Sequence, residues 1–208
     1  MPSSGYEDKR SLLQKILEFI NPGPDSQAEL YSSLSHAETR HVIGSDTRVM
    51  LEGVIRIADM TAGDVMVPAP RMDLIDIGWD YARILKEVIN TAHSRFPVYE
   101  GAKDNIVGVL LAKDLLKLQR APELNIRALL RVPVFVPETK GLNDLLREFR
   151  AKRNHLAMVI DEFGRLAGLI TIEDILEEIV GEIEDEFDDD EEEGDIYNLA
   201  DGSFRVSG

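Results

Sequence analysis

The sequence predicts a mixed α+β fold built from two copies of one β-α-β-β-α unit. The first observation is an internal repeat, because Gly108-Val-Leu and Asp114-Leu-Leu recur 60 positions later as Gly168-Leu-Ile and Asp174-Ile-Leu. The second is that each copy combines short apolar strands with segments whose apolar residues fall at helical spacing. The third is size. One such unit buries too little apolar surface to be stable alone, whereas two copies related by a pseudo-twofold axis share a core and enclose two equivalent clefts.

The residues before the repeat are predicted to be mainly helical. Residues 1–24 are expected to form a flexible segment that includes one short amphipathic helix at 11–20, for docking or for a membrane surface. Residues 25–62 are predicted to form an N-terminal helical region with helices at Asp25–Glu38 and Asp46–Asp59. Asp46 is the expected N-cap of the second helix.

The two units are predicted at residues 63–122 and 123–183. The predicted elements of the first unit are a strand at Asp73–Ile77, a helix at Tyr81–Ala92, strands at Phe96–Tyr99 and Ile106–Leu111, and a second helix. Those of the second unit are a strand at Val134–Val136, a helix at Leu142–Lys152, strands at Leu156–Ile160 and Leu166–Thr171, and a helix at Asp174–Glu186.

The charge of the chain is concentrated after the second unit. The net charge is −16, and residues 173–195 carry fifteen Asp or Glu and no Lys or Arg, so the rest of the chain is nearly neutral. Residues 184–195 therefore read as a solvated acidic linker, with diffuse attraction of Mg²⁺ or Co²⁺ as the alternative. Without a clustered basic surface, nucleic acid is not an expected partner.

Composition also limits the location and the chemistry. There is no cysteine, no apolar run of the length a transmembrane helix needs and no signal-peptide pattern, which indicates a cytoplasmic protein. The sequence shows none of the nucleophile-elbow, phosphate-loop or dinucleotide-binding motifs, and its histidines lack metal-ligand spacing. We therefore expect no enzyme, no catalytic residue and no metal-ligating residue.

The most informative stretch is the junction between the last strand of the second unit and its helix. Thr171 and Asp174 stand three residues apart there, as in a capping box, in which a hydroxyl and a carboxylate satisfy free N–H groups. The same groups could hold a ligand, since the N-terminus of a helix favours anionic oxygens. In the first unit the acid remains as Asp114, but Leu111 replaces the threonine.

Several runs of residues resemble a known family. The runs are Asp64-Val-Met-Val-Pro68, Ala92-His-Ser-Arg-Phe-Pro-Val98, Ile160-Asp-Glu-Phe-Gly164 and Thr171–Glu186. They are similar to the CorC group of magnesium and cobalt efflux proteins, related to the cyclin-M transporters and hemolysin-C-like proteins. The resemblance implies a tandem CBS-domain pair, with residues 196–208 as the first strand of a truncated C-terminal domain. The chain departs from the family pattern at Pro68-Ala-Pro-Arg71, which leaves the role of this arginine open.

The resemblance also implies an adenine-nucleotide site. Asp174 would accept hydrogen bonds from the ribose hydroxyls and Thr171 would contact the sugar or phosphate. Arg95 is the expected phosphate ligand, because a guanidinium suits phosphate oxygens. The other expected contributors are Ser94 and Pro97 beside Arg95, the apolar residues Ile170, Val67 and Met72 around adenine, and His155 as a residue equivalent to Arg95. Asp114 marks a weaker second site.

We expect a regulatory protein that binds AMP, ADP or ATP, with or without Mg²⁺, in magnesium and cobalt efflux or homeostasis. The expected partners are a second copy of the chain, joined through the CBS units, and a membrane cation transporter at the inner face of the membrane. The alternatives are a dimerisation scaffold without ligand, in which Thr171 and Asp174 only cap the helix, and an enzyme acting on adenine nucleotides.

Overall fold

A computed structural model describes residues 23–121, 125–181, 196–198 and 204–206. The amphipathic helix expected at 11–20 and the acidic linker at 184–195 lie outside the described residues. The helix expected at Asp174–Glu186 is shorter than predicted, because it ends at Val180 and Gly181 caps it with a positive φ of 83°.

The described elements follow the predicted order. The α-helices are α1 Gln27–Thr39, α2 Ser45–Arg56, α3 Ala62–Val65, α4 Tyr81–Thr91, α5 Leu115–Arg120, α6 Leu142–Lys152 and α7 Ile172–Val180. The strands are β1 Val67–Pro68, β2 Ile75–Asp76, β3 Arg95–Glu100, β4 Ala102–Leu111, β5 Phe135–Pro137, β6 Leu156–Ile160, β7 Leu166–Thr171, β8 Ile196–Asn198 and β9 Phe204–Val206. The expected mixed α+β fold with two repeated units and N-terminal helices is confirmed.

The second N-terminal helix begins at a cap that differs from the predicted one. Gly44, not Asp46, is the N-cap of α2, and it makes no side-chain capping bond. Asp46 lies in the first turn, where its negative charge still favours the helix N-terminus. For α1 the N-cap is Ser26, whose hydroxyl accepts a hydrogen bond from the backbone N–H of Glu29.

The two units exchange their leading segments. One sheet has the strand order β1-β7-β6-β5, so that β1, the leading strand of the first unit, is antiparallel to β7 of the second. The other sheet has the order β2-β3-β4, and Arg131, in the leading segment of the second unit, forms an antiparallel bridge with Val109 of β4. This reciprocal exchange is what a pseudo-twofold arrangement requires.

The register of the strands corrects the offset of the repeat. Arg95 pairs with Leu111 in the first unit, and Leu156 pairs with Thr171 in the second. Leu156, not His155, therefore occupies the position equivalent to Arg95. The turn between β3 and β4 is one residue longer than the turn between β6 and β7. The offset is therefore 61 before the turn, as from Ile75 to Val136, and 60 after it.

Three apolar clusters hold these elements together. One lies inside each unit, around Phe96 in the first and Phe149 in the second. The third joins the two sheets and includes Met72 and Val109 from the first unit with Met158 from the second. The strands approach closely at Gly168, where an added Cβ would lie 2.3 Å from the carbonyl oxygen of Val67. Glycine is therefore required for β1 to reach β7.

Helix α2 packs against α7. A Cβ added at Gly53 would lie 2.5 Å from the carbonyl oxygen of Ile179, so the glycine allows the two backbones to approach. The guanidinium of Arg56 donates a hydrogen bond of 2.7 Å to the carbonyl oxygen of Glu178 and lies 3.2 Å from its carboxylate. This contact connects the N-terminal helices to α7, which carries Asp174 in its first turn.

Candidate functional site

A cavity of about 350 Å³ lies where the two units meet. Its wall has three parts. They are β1 with the 3₁₀ turn Ala69–Arg71 that follows it, the end of α4 with the start of β3, and the β7–α7 junction. The lining residues are Val67, Arg71, Met72, Asp73, Ala92, His93, Ser94, Arg95, Pro97, Leu156, Leu169, Thr171, Glu173 and Asp174. The volume lies within the range of small-molecule sites.

The β7–α7 junction has the geometry of a capping box. The backbone N–H of Thr171 donates to Oδ2 of Asp174 at 2.7 Å, and the backbone N–H of Asp174 donates to Oγ1 of Thr171 at 3.2 Å. Thr171 and Asp174 therefore do cap the helix, but capping does not use all the acceptor positions of the carboxylate. A carboxylate has about four acceptor positions over two oxygens, so Asp174 can cap the helix and still face the cavity.

Burial distinguishes this carboxylate from a similar one elsewhere. Burial raises the pKa of Asp174, and the hydrogen bonds from Thr171 oppose that effect only in part. Asp64 forms the same capping box with Thr61 at the start of α3, but there the backbone and side-chain hydrogen bonds from Thr61 lower its pKa. Asp174 is thus incompletely compensated in the free protein and would gain from additional donors.

The opposite wall of the cavity carries positive charge from the first unit. Arg95 at the start of β3 is half-buried, and its Nη1 lies 4.0 Å from Oε1 of Glu173. Since Glu173 belongs to the first turn of α7, this contact spans the boundary between the units. It places the cation within reach of any anionic group bound at the helix N-terminus.

Seven of the predicted site residues lie together in this cavity. They are Thr171, Asp174, Arg95, Ser94, Pro97, Val67 and Met72. Ile170 does not line it, because alternation along β7 points its side chain into the core of the second unit, where it is 0% exposed. His155 also lies outside the lining, with its Nδ1 3.6 Å from Oε1 of Glu173.

The cavity also contains polar residues that the sequence interpretation did not include. His93 and Asp73 form a pair at 3.0 Å, and Arg71 lies beside them although it departs from the family spacing. Glu173 lies next to Asp174 in the Thr171–Glu186 run, but nothing in the sequence predicted its contact with Arg95. The pseudo-twofold packing that brings it to Arg95 is a long-range feature.

Asp114, the predicted marker of a weaker site, has different surroundings. It is 2% exposed and makes no capping hydrogen bond at the start of α5. Lys117 and Arg131 instead form ion pairs with its two oxygens, at 2.6 Å and 3.2 Å. The two carboxylates of the repeat are therefore not equivalent.

The described part of the chain shows neither a membrane-spanning helix nor a metal-binding cluster. Among residues 23–121, 125–181 and the two short C-terminal strands, no helix is both long and apolar enough to cross a membrane. Within the same residues, no cluster of three or more His, Asp or Glu side chains is arranged to hold a metal ion.

Two β-α-β-β-α units that exchange leading strands and enclose a cleft at a strand–helix junction define a CBS-domain pair. The profile described as CBS domain matches residues 62–121 and 126–181, and a second, described as N-terminal region of NMB0537, matches residues 22–57. The chain belongs to the CorC family of magnesium and cobalt efflux proteins. It is 44% identical over 200 residues to the Vibrio cholerae magnesium and cobalt efflux protein CorC, covering 95% of this chain and 68% of that protein. Related CorC proteins are matched over as little as 60% of their length.

Solved CBS structures resemble the chain as well. The CBS domain of a bacterial CNNM/CorC family Mg²⁺ transporter in complex with ATP is 37% identical, with a TM-score of 0.60 over 64% of this chain and 96% of that one. A CBS-domain pair with bound AMP from Klebsiella pneumoniae is 30% identical, with a TM-score of 0.53 over 59% of this chain and 100% of that one.

Proposed function

We propose that this chain is a regulatory CBS pair that binds an adenine nucleotide in the cavity between its units and acts in magnesium and cobalt efflux or homeostasis. The observation that carries the proposal is the arrangement of Asp174 and Arg95 on facing walls of one cavity. The ATP-bound and AMP-bound relatives support the choice of ligand class.

The ribose would bind at the carboxylate of Asp174. Its Oδ2 accepts from the backbone of Thr171, which leaves further acceptor positions for two ribose hydroxyls. Because burial raises the pKa of this group, hydroxyl donors would stabilise its charged form. Adenine would lie against the apolar part of the wall, at Val67, Met72 and Leu169.

The phosphates would bind between the N-terminus of α7 and Arg95. A guanidinium can donate two parallel hydrogen bonds to a phosphate, and the helix N-terminus adds a favourable field for the negative charge. Ser94, which also lines the cavity beside Arg95, offers a hydroxyl donor. Removing the Arg95 side chain should therefore weaken the binding of nucleotides more than the binding of adenosine.

Glu173 gives a reason for Mg²⁺ to accompany the nucleotide. Its carboxylate lies 4.0 Å from Arg95, where it would repel incoming phosphates and compete for the guanidinium. A divalent cation bound to the phosphates would offset that repulsion. Substitution Glu173→Gln should thus reduce the dependence of ATP affinity on Mg²⁺, whereas Glu177→Gln, one turn further along the same helix, should leave it unchanged.

Regulation would follow from the position of α7. Its first turn forms the cavity, and its other end packs on α2 through Gly53. A nucleotide that favours one arrangement of the two units would shift the population toward it, and α7 would pass the change to neighbouring parts of the protein. We further propose that the chain forms a homodimer through its CBS units in the cytoplasm and acts on a membrane cation transporter.

Titration calorimetry of the whole chain with AMP, ADP and ATP, each with and without Mg²⁺, tests the proposal. One equivalent of nucleotide should bind. Absence of heat at millimolar nucleotide would contradict binding and favour a scaffold, which sedimentation would then detect as a ligand-independent dimer. Incubation with ATP followed by analysis for ADP and AMP separates binding from turnover, and we expect no turnover.

A further inference from the structure

The two clefts of the pair differ at the position opposite the last strand of each unit. In the first cleft, β1 places Val67 opposite Leu169 of β7, and Val67 lines the cavity. In the second, Arg131 lies opposite Val109 of β4, held by reciprocal backbone hydrogen bonds of 2.9 Å. Val109 and Leu169 are equivalent positions of the repeat, so Arg131 stands where the first cleft has Val67.

This exchange places a cation against the carboxylate of the second cleft. Nη2 of Arg131 lies 3.2 Å from Oδ2 of Asp114, and Nζ of Lys117 lies 2.6 Å from Oδ1. Both oxygens of Asp114 are therefore engaged by cations, and the residue is 2% exposed. Asp174, in contrast, keeps its carboxylate in the wall of an open cavity.

The strand–helix junction of the second cleft is also less polar than that of the first. Leu111 replaces Thr171 there, so the junction lacks the threonine hydroxyl. The cations of the second cleft thus neutralise the carboxylate itself.

We propose that Arg131 closes the second cleft by acting as an internal substitute for a ligand. Its guanidinium takes acceptor positions on Oδ2 of Asp114 that a ligand hydroxyl would need, while Lys117 occupies Oδ1. The inference rests on the proposed nucleotide site in the first cleft, and it makes Arg131 the residue that limits the pair to one ligand.

A double-mutant cycle tests the internal contact without any ligand. The variants are Asp114→Asn, Arg131→Gln and the two combined, with urea unfolding as the measurement. Since Lys117 still pairs with Asp114 and the bridge from residue 131 to Val109 uses backbone atoms, the variants should fold. The two substitutions should be coupled by roughly threefold or more in the unfolding equilibrium constant. Independent effects would overturn the proposal.

Calorimetric stoichiometry tests the closure itself. The variant R131V/L111T gives the second cleft the valine and the threonine of the first and should bind a second equivalent of ATP, at least about tenfold more weakly because Lys117 still pairs with Asp114. Asp114→Asn added to this variant should remove the second equivalent, whereas Asp174→Ala should remove the first.

Two results would overturn the closure. One is a folded R131V/L111T variant that still binds one equivalent up to millimolar ATP, and the other is a wild-type chain that already binds two. A wild-type chain that binds no nucleotide contradicts the proposed function instead, and the thermodynamic cycle alone then decides whether Arg131 occupies Asp114.

Discussion

The substitution Asp174→Asn separates capping from ligand binding at the β7–α7 junction. An asparagine keeps an oxygen that can accept the 2.7 Å hydrogen bond from the backbone of Thr171, so the helix start should survive. It removes the negative charge that would accept the ribose hydroxyls. Hydrogen bonds to charged groups contribute about 1.5–3 kcal/mol each, and the amide retains part of one. The expected loss is therefore about 1.4–3 kcal/mol, or roughly 10- to 100-fold in Kd.

Calorimetry with ATP and AMP on the wild type and two variants provides the measurement. The matched control is Asp64→Asn, because Asp64 makes the same capping box with Thr61 outside the cavity. That control should leave nucleotide affinity unchanged, and urea unfolding should show that both variants are folded. An Asp174→Asn protein that binds within about threefold of the wild type would refute the role assigned to this carboxylate.

Three further predictions follow from the same contacts. Substitution Arg95→Ala should weaken the binding of ATP by about tenfold or more and change the affinity for adenosine little, because only the phosphate contact is lost. Equal losses of affinity for both ligands in calorimetry would argue against a phosphate role. Burial raises the pKa of Asp174, so in the free protein the contribution of this residue to stability should fall as pH rises from about 4 through the raised value. The pKa of Asp64 is lowered, so this residue should contribute stability above about pH 4 that is lost on acidification. The difference in unfolding free energy between the wild type and each Asp→Asn variant, measured across pH 3–7, should therefore slope in opposite directions for the two residues. Substitution Gly53→Ala should destabilise the protein by about 1–3 kcal/mol in urea unfolding despite the better helix propensity of alanine, because the added Cβ would lie 2.5 Å from the backbone oxygen of Ile179; a stabilised variant would show that α2 does not pack closely on α7.

Much of the fold was predictable because its signals are local or repeated. The bounds of α6, β6 and β7 match the structure, since each is a continuous apolar pattern between clear turns. The Thr171–Asp174 pair could be placed at a helix start because a capping box spans three residues. The repeat then predicted that residues of the first unit face the junction of the second, which the cavity bears out for Ser94, Arg95 and Pro97.

The remaining features depend on register, which the sequence does not display. The extra residue in the first β-turn moves the equivalent of Arg95 from His155 to Leu156, and a 60-residue comparison of sequences cannot locate the slip. Arg131 has no motif, and its role arises only because a single bridge to Val109 carries its side chain to Asp114. Ile170, predicted to lie against adenine, packs in the core and does not line the cavity, because alternation along β7 decides which face each residue takes.

The difference between the clefts also limits how this pair could respond to a ligand. The units are joined on one side by the ion pair of the buried Asp114 with Arg131, whose side chain is 55% exposed, and on the other by a cavity whose walls carry Asp174 and Arg95. Removing a partner from a buried carboxylate is costly, since it leaves an uncompensated charge, so that side should stay closed. A nucleotide that draws the walls of the open cavity together would then rotate one unit about the closed side instead of separating both equally. Because α7 starts at the open cavity and ends on α2, such a rotation would move the N-terminal helices, and distances between spin labels on α2 and α4 should change on addition of ATP in the wild type but not in Asp174→Asn.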